Sequence, residues 1–171
     1  MSLTRSGYIT DETPEIKKEL TVRAVVNTEF GFPPPPFNVF RKAKSGLCIP
    51  RYYGEDKFGS PKEDRRPDPV KISATFNGTL RDETHQNDAL AAAIKAGHGV
   101  LSLPCGFGKT TVSLAIACKL GYRTMIVVHK EFLANQWKER IQQFCPGASI
   151  GIVQQDKKET ECDFILSLIH I

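Results

Sequence analysis

The residues best suited to chemistry lie together in the run Leu103-Pro104-Cys105-Gly106-Phe107-Gly108-Lys109-Thr110, with Thr111 following. Gly106 and Gly108 can adopt positive φ and leave room for an anion to approach the backbone. Amides in such a turn, and at the start of a helix behind it, converge as a cluster of donors. The Lys109 ammonium can reach the β- and γ-phosphates of a nucleotide, and the Thr110 hydroxyl is a ligand for Mg²⁺. The strict phosphate-loop pattern wants glycine six residues before the lysine, where this chain has Leu103. The match is to the variant with Pro104 at the second position and Gly106 at the fourth. A Gly-Lys-Thr turn without a ligand is the plainer alternative, and the elements on either side argue against it.

Those elements follow from hydrophobic spacing. Residues 99–103 form a short apolar run that reads as a buried strand leading into the loop. Val112, Ala115, Ile116 and Leu120 recur at helical spacing over 109–120 and end at Gly121. A second strand is expected over 123–128, on the apolar run from Met125 to Val128. Leu133, Trp137, Ile141 and Phe144 then form one helical stripe, closed by Pro146 and Gly147. Trp137 lies on that stripe and reads as core. Residues 149–153 and 163–168 read as two further strands. Before the loop, a helix is expected after Leu80, with Asp82 or Thr84 as N-cap, Leu90, Ala93 and Ile94 on one face, and Gly97 as its stop. Alternating strands and helices imply a parallel sheet covered by helices on both faces.

The loop resembles the first motif of superfamily-two helicases, Pro-x-Gly-x-Gly-Lys-Thr, and the resemblance extends on both sides. Upstream, Leu80-Arg81-Asp82 leading to Gln86 looks like the Leu-Arg-x-x-Gln element of helicases of the XPB type, with one more residue between Arg81 and the glutamine. In that family the glutamine selects ATP, so the resemblance gives Gln86 the role of reading adenine through its amide. A surface glutamine early in a helix is the alternative. Downstream, Val128-His129-Lys130-Glu131-Phe132-Leu133-Ala134-Asn135-Gln136-Trp137 resembles the family's second motif, where a strand runs into a loop and helix that touch the nucleic-acid backbone. His129 and Lys130 inherit that contact. The wording of both motifs, and of Cys48-Ile49-Pro50-Arg51-Tyr52-Tyr53-Gly54, is closest to helicases of large double-stranded DNA viruses.

The resemblance implies an α/β fold, a partial RecA-like phosphate-loop domain over 72–171, preceded by a small basic and aromatic region over 1–71. It implies ATP and Mg²⁺ as cofactors. Nucleic acid is the implied partner, DNA ahead of RNA, with a second RecA-like domain in cis. A nucleotide would be held by Gln86, Pro104, Cys105, Gly106, Phe107, Gly108, Lys109, Thr110 and Thr111. Lys109 and Thr110 would act in catalysis, with the metal on Thr110.

Composition sets the outer bounds. The chain has 171 residues, 40% hydrophobic and 25% charged, with a net charge of +4. No apolar run reaches ~18 residues, so no membrane span is expected. The start is polar and has no signal-peptide core. Five cysteines without a Cys-x-x-Cys pair offer no zinc framework and fit a reducing compartment, cytoplasm or nucleus, that of a virus-infected cell included. Between Asn38 and Lys71 there are nine basic and five acidic residues. Such a stretch suits a polyanion partner, but on charge alone a solvated linker explains it better. The run Phe30-Gly31-Phe32-Pro33-Pro34-Pro35-Pro36 reads as an extended polyproline linker. Residues 60–69 read as an exposed loop.

A helicase of this type also needs an Asp-Glu pair on a later strand and arginines that reach the γ-phosphate. Asp11-Glu12 and Asp82-Glu83 precede the loop, and no such pair follows it. The expectation is a chain that stops short, binds nucleotide without turnover and leaves strand 163–168 beside a missing neighbour. The ending Ser167-Leu168-Ile169-His170-Ile171 departs from the family pattern and reads as foreign after about Leu166. Two rivals stand beside this reading: a restriction-enzyme-type motor subunit, and a nucleic-acid-binding module with no activity of its own.

Overall fold

The computed structural model describes residues 1–24 and 34–169. Phe30 to Pro33 of the proline run, with His170 and Ile171 of the ending, lie outside the described residues. The chain divides into two compact units, Met1–Asp68 and a second beginning at Pro69.

The first unit is built on a small sheet rather than a linker. Strands β1 (Ser2–Thr4), β2 (Gly7–Thr10), β5 (Arg41–Ala43), β6 (Gly46–Ile49) and β7 (Glu63–Asp64) lie in the order β5-β6-β2-β1-β7. Two-residue strands β3 (Thr21–Val22) and β4 (Phe37–Asn38) pair separately. Helix α1 (Pro14–Glu19) starts on Thr13, whose hydroxyl accepts from the Ile16 amide at 3.3 Å, with proline in the first turn. Helix α2 (Arg51–Phe58) brings Gly54 against the Tyr8 ring so closely that any Cβ there would collide with it. Leu3, Tyr8, Ile16, Leu20, Leu47 and Ile49 form the core.

Four of the nine basic residues of the stretch are held in ion pairs within this unit. Arg51 pairs with Glu55, Lys57 with Glu19, Arg65 with Glu63 and Arg66 with Asp64. Side-chain and backbone hydrogen bonds from Arg66 hold the Asp64 carboxyl down at about 2. The loop over 60–69 is mostly exposed, as its composition predicts, but Glu63 and Asp64 pair in parallel with β1.

The second unit is α/β with a mainly parallel sheet. Its order is β10-β9-β11-β8, from β8 (Thr124–Val128), β9 (Ile150–Gln154), β10 (Lys157–Lys158) and β11 (Phe164–Leu168). The central strand β11 is parallel to both β8 and β9. One residue aligns all three. Asp163 accepts from the Ser149 amide and hydroxyl at 2.8 Å each, and its carbonyl accepts from the Thr124 amide at 2.9 Å. Three helices complete the unit: α3 (Gln86–Ala96), α4 (Lys109–Leu120) and α5 (Glu131–Phe144). Phe164 and Leu166 point into a core shared with Leu114 and Ala117 of α4 and Ile141 of α5. Trp137 packs on this core, as its place on the stripe predicts. Cys118 and Cys145 also meet here, Sγ to Sγ at 3.5 Å, and burial pushes the Cys145 thiol up to about 12.

Four expectations are corrected. Strand 163–168 does not lie beside a missing neighbour: β11 pairs with β8 on one side and β9 on the other, which takes up its backbone groups. Residues 99–103 form no strand: Val100 is 93% exposed and no strand of the sheet pairs with this run. A continuous apolar run is buried as a strand only when neighbours take up its backbone groups, and the order above gives it none. The α3 N-cap is His85, not Asp82 or Thr84. Residues Asp82–Thr84 make a 3₁₀ turn instead, because the Thr84 hydroxyl turns back to the Arg81 carbonyl at 3.2 Å. Where helices on both faces are expected, the edge strand β8 is covered on one face only. Met125 and Val127, 55% and 51% exposed, alternate with the covered Ile126 and Val128. Period-two alternation decides this: a strand at the sheet edge with helices on one side buries only every second residue.

Among the described residues no helix is long and apolar enough to cross a membrane. Phe164 is fully buried at the centre of the second unit, and the protein's single tryptophan, Trp137, packs on the same core. Phe164→Ala should cost about 3–5 kcal/mol. Urea unfolding followed by Trp137 fluorescence should show the midpoint falling. An unchanged midpoint would mean that the core is not organised around β11.

Candidate nucleotide site

The loop from Pro104 to Gly108 ends where α4 begins. Gly108 is the N-cap of α4, at φ 91°, and being glycine it supplies no capping side chain. The amides of the helix's first turn have no partner within the helix. Gly106 also takes positive φ, 76°, but the two glycines differ in what surrounds them. A Cβ on Gly106 would point into open space, whereas one on Gly108 would stand 2.8 Å from the Gln86 Nε2. The first glycine is needed for conformation, and the second for conformation and space.

Within the loop, the Phe107 amide donates to the Pro104 carbonyl at 3.4 Å. Lys109 Nζ donates to the same carbonyl at 2.8 Å, so the ammonium lies on the loop itself. Cys105 is exposed, while Thr110 and Thr111 are half-buried in the first turn of α4. The structure therefore brings the whole predicted set from Pro104 to Thr111 to one helix end. A cation, a hydroxyl and unpaired amides meet there, the donor set that a phosphate with its metal requires.

Gln86 joins this group, but not as a surface residue. It is 2% exposed. Its Oε1 accepts from the Arg81 amide at 2.8 Å, and its Nε2 donates to the Phe107 carbonyl at 2.5 Å. The extra residue between Arg81 and Gln86 is taken up by the 3₁₀ turn and by His85, which sits in the left-handed region at φ 57°. The His85 Nδ1 lies 2.8 Å from Asp88 Oδ2, across the first turn of α3.

Arg81 is the residue that the sequence reading did not single out. Its Nη2 lies 3.3 Å from the Gly106 carbonyl and 3.4 Å from that of Phe107. The signal available was an arginine five residues before a glutamine that burial would force to find partners.

His129 and Lys130 lie elsewhere on the unit. Both are exposed, between the end of β8 and the start of α5, and Lys130 is the N-cap of α5 with no side-chain cap bond. Among the described residues they do not join the loop's hydrogen bonds. A cavity of about 580 Å³ is lined by Phe76, Leu80, Leu90 and Cys118 among others and includes no residue of the loop. Converging donors, not concavity, mark the site.

The family described as "Type III restriction enzyme, res subunit" matches residues 79–171, more than half of the chain. An ATP-dependent RNA helicase candidate of Acanthamoeba polyphaga mimivirus is 36% identical across 98% of this chain and 35% of its own length. A helicase candidate of Invertebrate iridescent virus 3 is 33% identical across 69% of this chain and 40% of its own. The DNA 3'-5' translocase XPB2 of Sulfurisphaera tokodaii is 43% identical over 65 residues, 38% of this chain and 14% of its own. The SWI2/SNF2 ATPase core of Sulfolobus solfataricus, solved with dsDNA, aligns with 60% of this chain and 23% of its own, at TM-score 0.43 and 21% identity. The chain thus spans little more than a third of the viral relatives it matches. The chain belongs to the helicase family that the type III restriction enzyme res subunit represents, within superfamily two.

Proposed function

We propose that this chain is the nucleotide-binding part of an ATP-dependent motor that acts on nucleic acid, with DNA as the first candidate and RNA as the alternative. One observation carries the reading: α4 opens uncapped behind two positive-φ glycines, with Lys109 and Thr110 as its first two residues. Mg·ATP would place its phosphates on the amides of Gly108 to Thr111, its charge on Lys109 and its metal on Thr110. Turnover needs a carboxylate that activates water and arginines directed at the γ-phosphate. The 171 residues have no Asp-Glu pair after the loop. We assign those groups to further sequence, including a second RecA-like domain in cis. By themselves the 171 residues bind nucleotide without turnover. A restriction-enzyme-type motor would share all of these contacts. A reducing compartment, cytoplasm or nucleus, suits the free thiols.

Lys109→Ala should weaken Mg·ATP binding by more than about tenfold, since a charge-assisted contact to phosphate is lost. Isothermal titration gives the answer, and equal affinities for the two proteins would end the loop assignment.

The exposed Lys130 and the amides that start α5 are the proposed contact with the nucleic-acid backbone. Lys130→Ala should weaken single-stranded, duplex and RNA binding alike and reduce the slope of log affinity against log salt by about 1. Fluorescence anisotropy at several salt concentrations measures this. An unaltered slope removes Lys130 from the interface.

Thiol chemistry offers an independent view of the loop. Cys105 is exposed inside it, whereas burial raises Cys145 to about 12, which keeps that thiol protonated well above neutral pH. At pH 8 iodoacetamide should modify Cys105 first, Mg·ATP should protect it, and Cys145 should react only on unfolding. Peptide mass mapping would show the order, and modification of Cys105 at the same rate with and without Mg·ATP would place the nucleotide elsewhere.

A further inference from the structure

We infer that Arg81 and Gln86 form a clamp that holds the phosphate loop in its anion-receptive shape, independently of any base the nucleotide carries. The inference rests on the phosphate-loop reading above and assigns Arg81 as a positioning residue.

Gln86 is one of two buried polar residues among those described, the other being Thr10 of the first unit. A buried amide needs partners, or its desolvation goes uncompensated. Gln86 finds them in backbone groups on both sides: the Arg81 amide at one end and the Phe107 carbonyl at the other. The Arg81 side chain reaches round to the same loop, where its Nη2 donates to both the Gly106 and the Phe107 carbonyls. Two side chains from one short segment thus grip two successive carbonyls of the loop.

Peptide geometry gives this grip its consequence. In a trans peptide the carbonyl and the following N–H point in opposite directions. A Phe107 carbonyl held toward Gln86 and Arg81 turns the Gly108 N–H away from them. A Gly106 carbonyl held the same way turns the Phe107 N–H away, and that group closes the loop on Pro104. The clamp therefore fixes the orientation of the amide that leads into the α4 first turn. The approach is close enough to demand glycine, since a Cβ at Gly108 would strike the Gln86 amide. His85 in the left-handed region returns the chain so that Gln86 comes back beneath the Arg81 backbone. The segment 81–86 is shaped to serve the loop.

A clamp and a base reader make different demands on the ligand. If Gln86 acts through the loop, removing it harms binding of any polyphosphate. If it acts through adenine, only ligands with the base are affected. The test is isothermal titration of the whole chain with Mg·ATP and with magnesium tripolyphosphate, which has no base. Arg81→Ala, Gln86→Ala and Lys109→Ala are compared with the unaltered protein, and melting curves followed by Trp137 fluorescence are recorded for each. Arg81→Ala and Gln86→Ala should each weaken both ligands by the same factor, about tenfold for a lost hydrogen-bonding contact. Arg81→Lys, which keeps a donor, should recover part of that loss. Gln86→Glu, which keeps the acceptor for the Arg81 amide but loses the donor to Phe107, should not. This donor-specific rescue separates positioning from a general loss of fold, which would follow the melting curves and not the donor count.

Three results would overturn the inference. Loss of Mg·ATP affinity in Gln86→Ala with tripolyphosphate unaffected would make Gln86 a base reader. Unaffected binding of both ligands in Arg81→Ala would leave Arg81 without a role. Full rescue by Gln86→Glu would show that the bond to Phe107 does nothing. The Lys109→Ala control keeps the two readings apart. If it loses both ligands while the clamp variants keep them, only the clamp fails. If it loses neither, the phosphate loop itself fails.

Discussion

A helix that starts inside a protein leaves its first amides without acceptors, and α4 starts on a glycine that cannot cap them. A side-chain oxygen can resolve this, as Thr13 does for the Ile16 amide of α1, whereas α2, α3, α4 and α5 have no such cap. In α4 the amides stay available, and the surroundings are arranged around that fact. Lys109 and Thr110 occupy the first turn, where a bound anion would sit against the positive end of the helix. The back of the same helix is buried: Val112, Leu114, Ala115 and Ala117 anchor it against the rest of the unit. Core packing thus holds a helix whose N-terminus, taken alone, is under-bonded.

The anchoring runs through β11. Phe164 and Leu166 are almost wholly buried beneath α4 and α5, and the strand lies between β8 and β9. Asp163 sets the register at the start of all three strands, so a shift of β8 would move the segment that presents His129 and Lys130. The path from α4 to that segment is short. Gly121 ends the helix in the left-handed region, and the Thr124 amide is then bonded to Asp163. Residues upstream of the loop are tied to the same frame. The Ile72 amide bonds to the Gly121 carbonyl, and the Asn77 amide to that of Phe144, where Phe76 stacks on the Phe144 ring. The strand and helix ends that face the chemistry are fixed by a few backbone hydrogen bonds close to the core.

Much of this is legible in the sequence. The glycine turn before α4, α4 and α5 themselves, and the strands after them follow from glycine placement and from apolar spacing over long enough windows. The errors have specific causes. Residues 99–103 have strand composition, but composition reports suitability for burial and not the presence of a partner; Val100 lies exposed with no strand beside it. Met125 to Val128 looks like a strand buried on both faces, yet Met125 and Val127 face outward because helices cover only the other side. The N-cap of α3 was misplaced because a side chain's preference for capping competes with its alternatives. Thr84 turned to the Arg81 carbonyl, and the helix began at a histidine in the left-handed region. The first unit was the least legible. Its strands have two to four residues, too short for a period to show, and its charges read as a solvated stretch although Lys57 and Arg66 are paired.

Gln86 shows why residue roles are harder to read than elements. Its position beside an arginine is visible in the sequence, and a resemblance supplies a role for it, but the atoms that satisfy it are backbone atoms. Backbone carbonyls are the same at every residue, so no pattern of side chains announces that the Phe107 carbonyl accepts from Gln86 or that Gly106 and Phe107 both face Arg81. Only the course of the chain brings them together. The one trace left in the sequence is steric, because Gly108 has to be glycine for Gln86 to come so near. A glycine in such a loop therefore carries two separate constraints, one from its own φ and one from the side chain that lies against it. At Gly106 only the first applies. At Gly108 both do, and the second extends the functional unit from the loop back to residues 81–86.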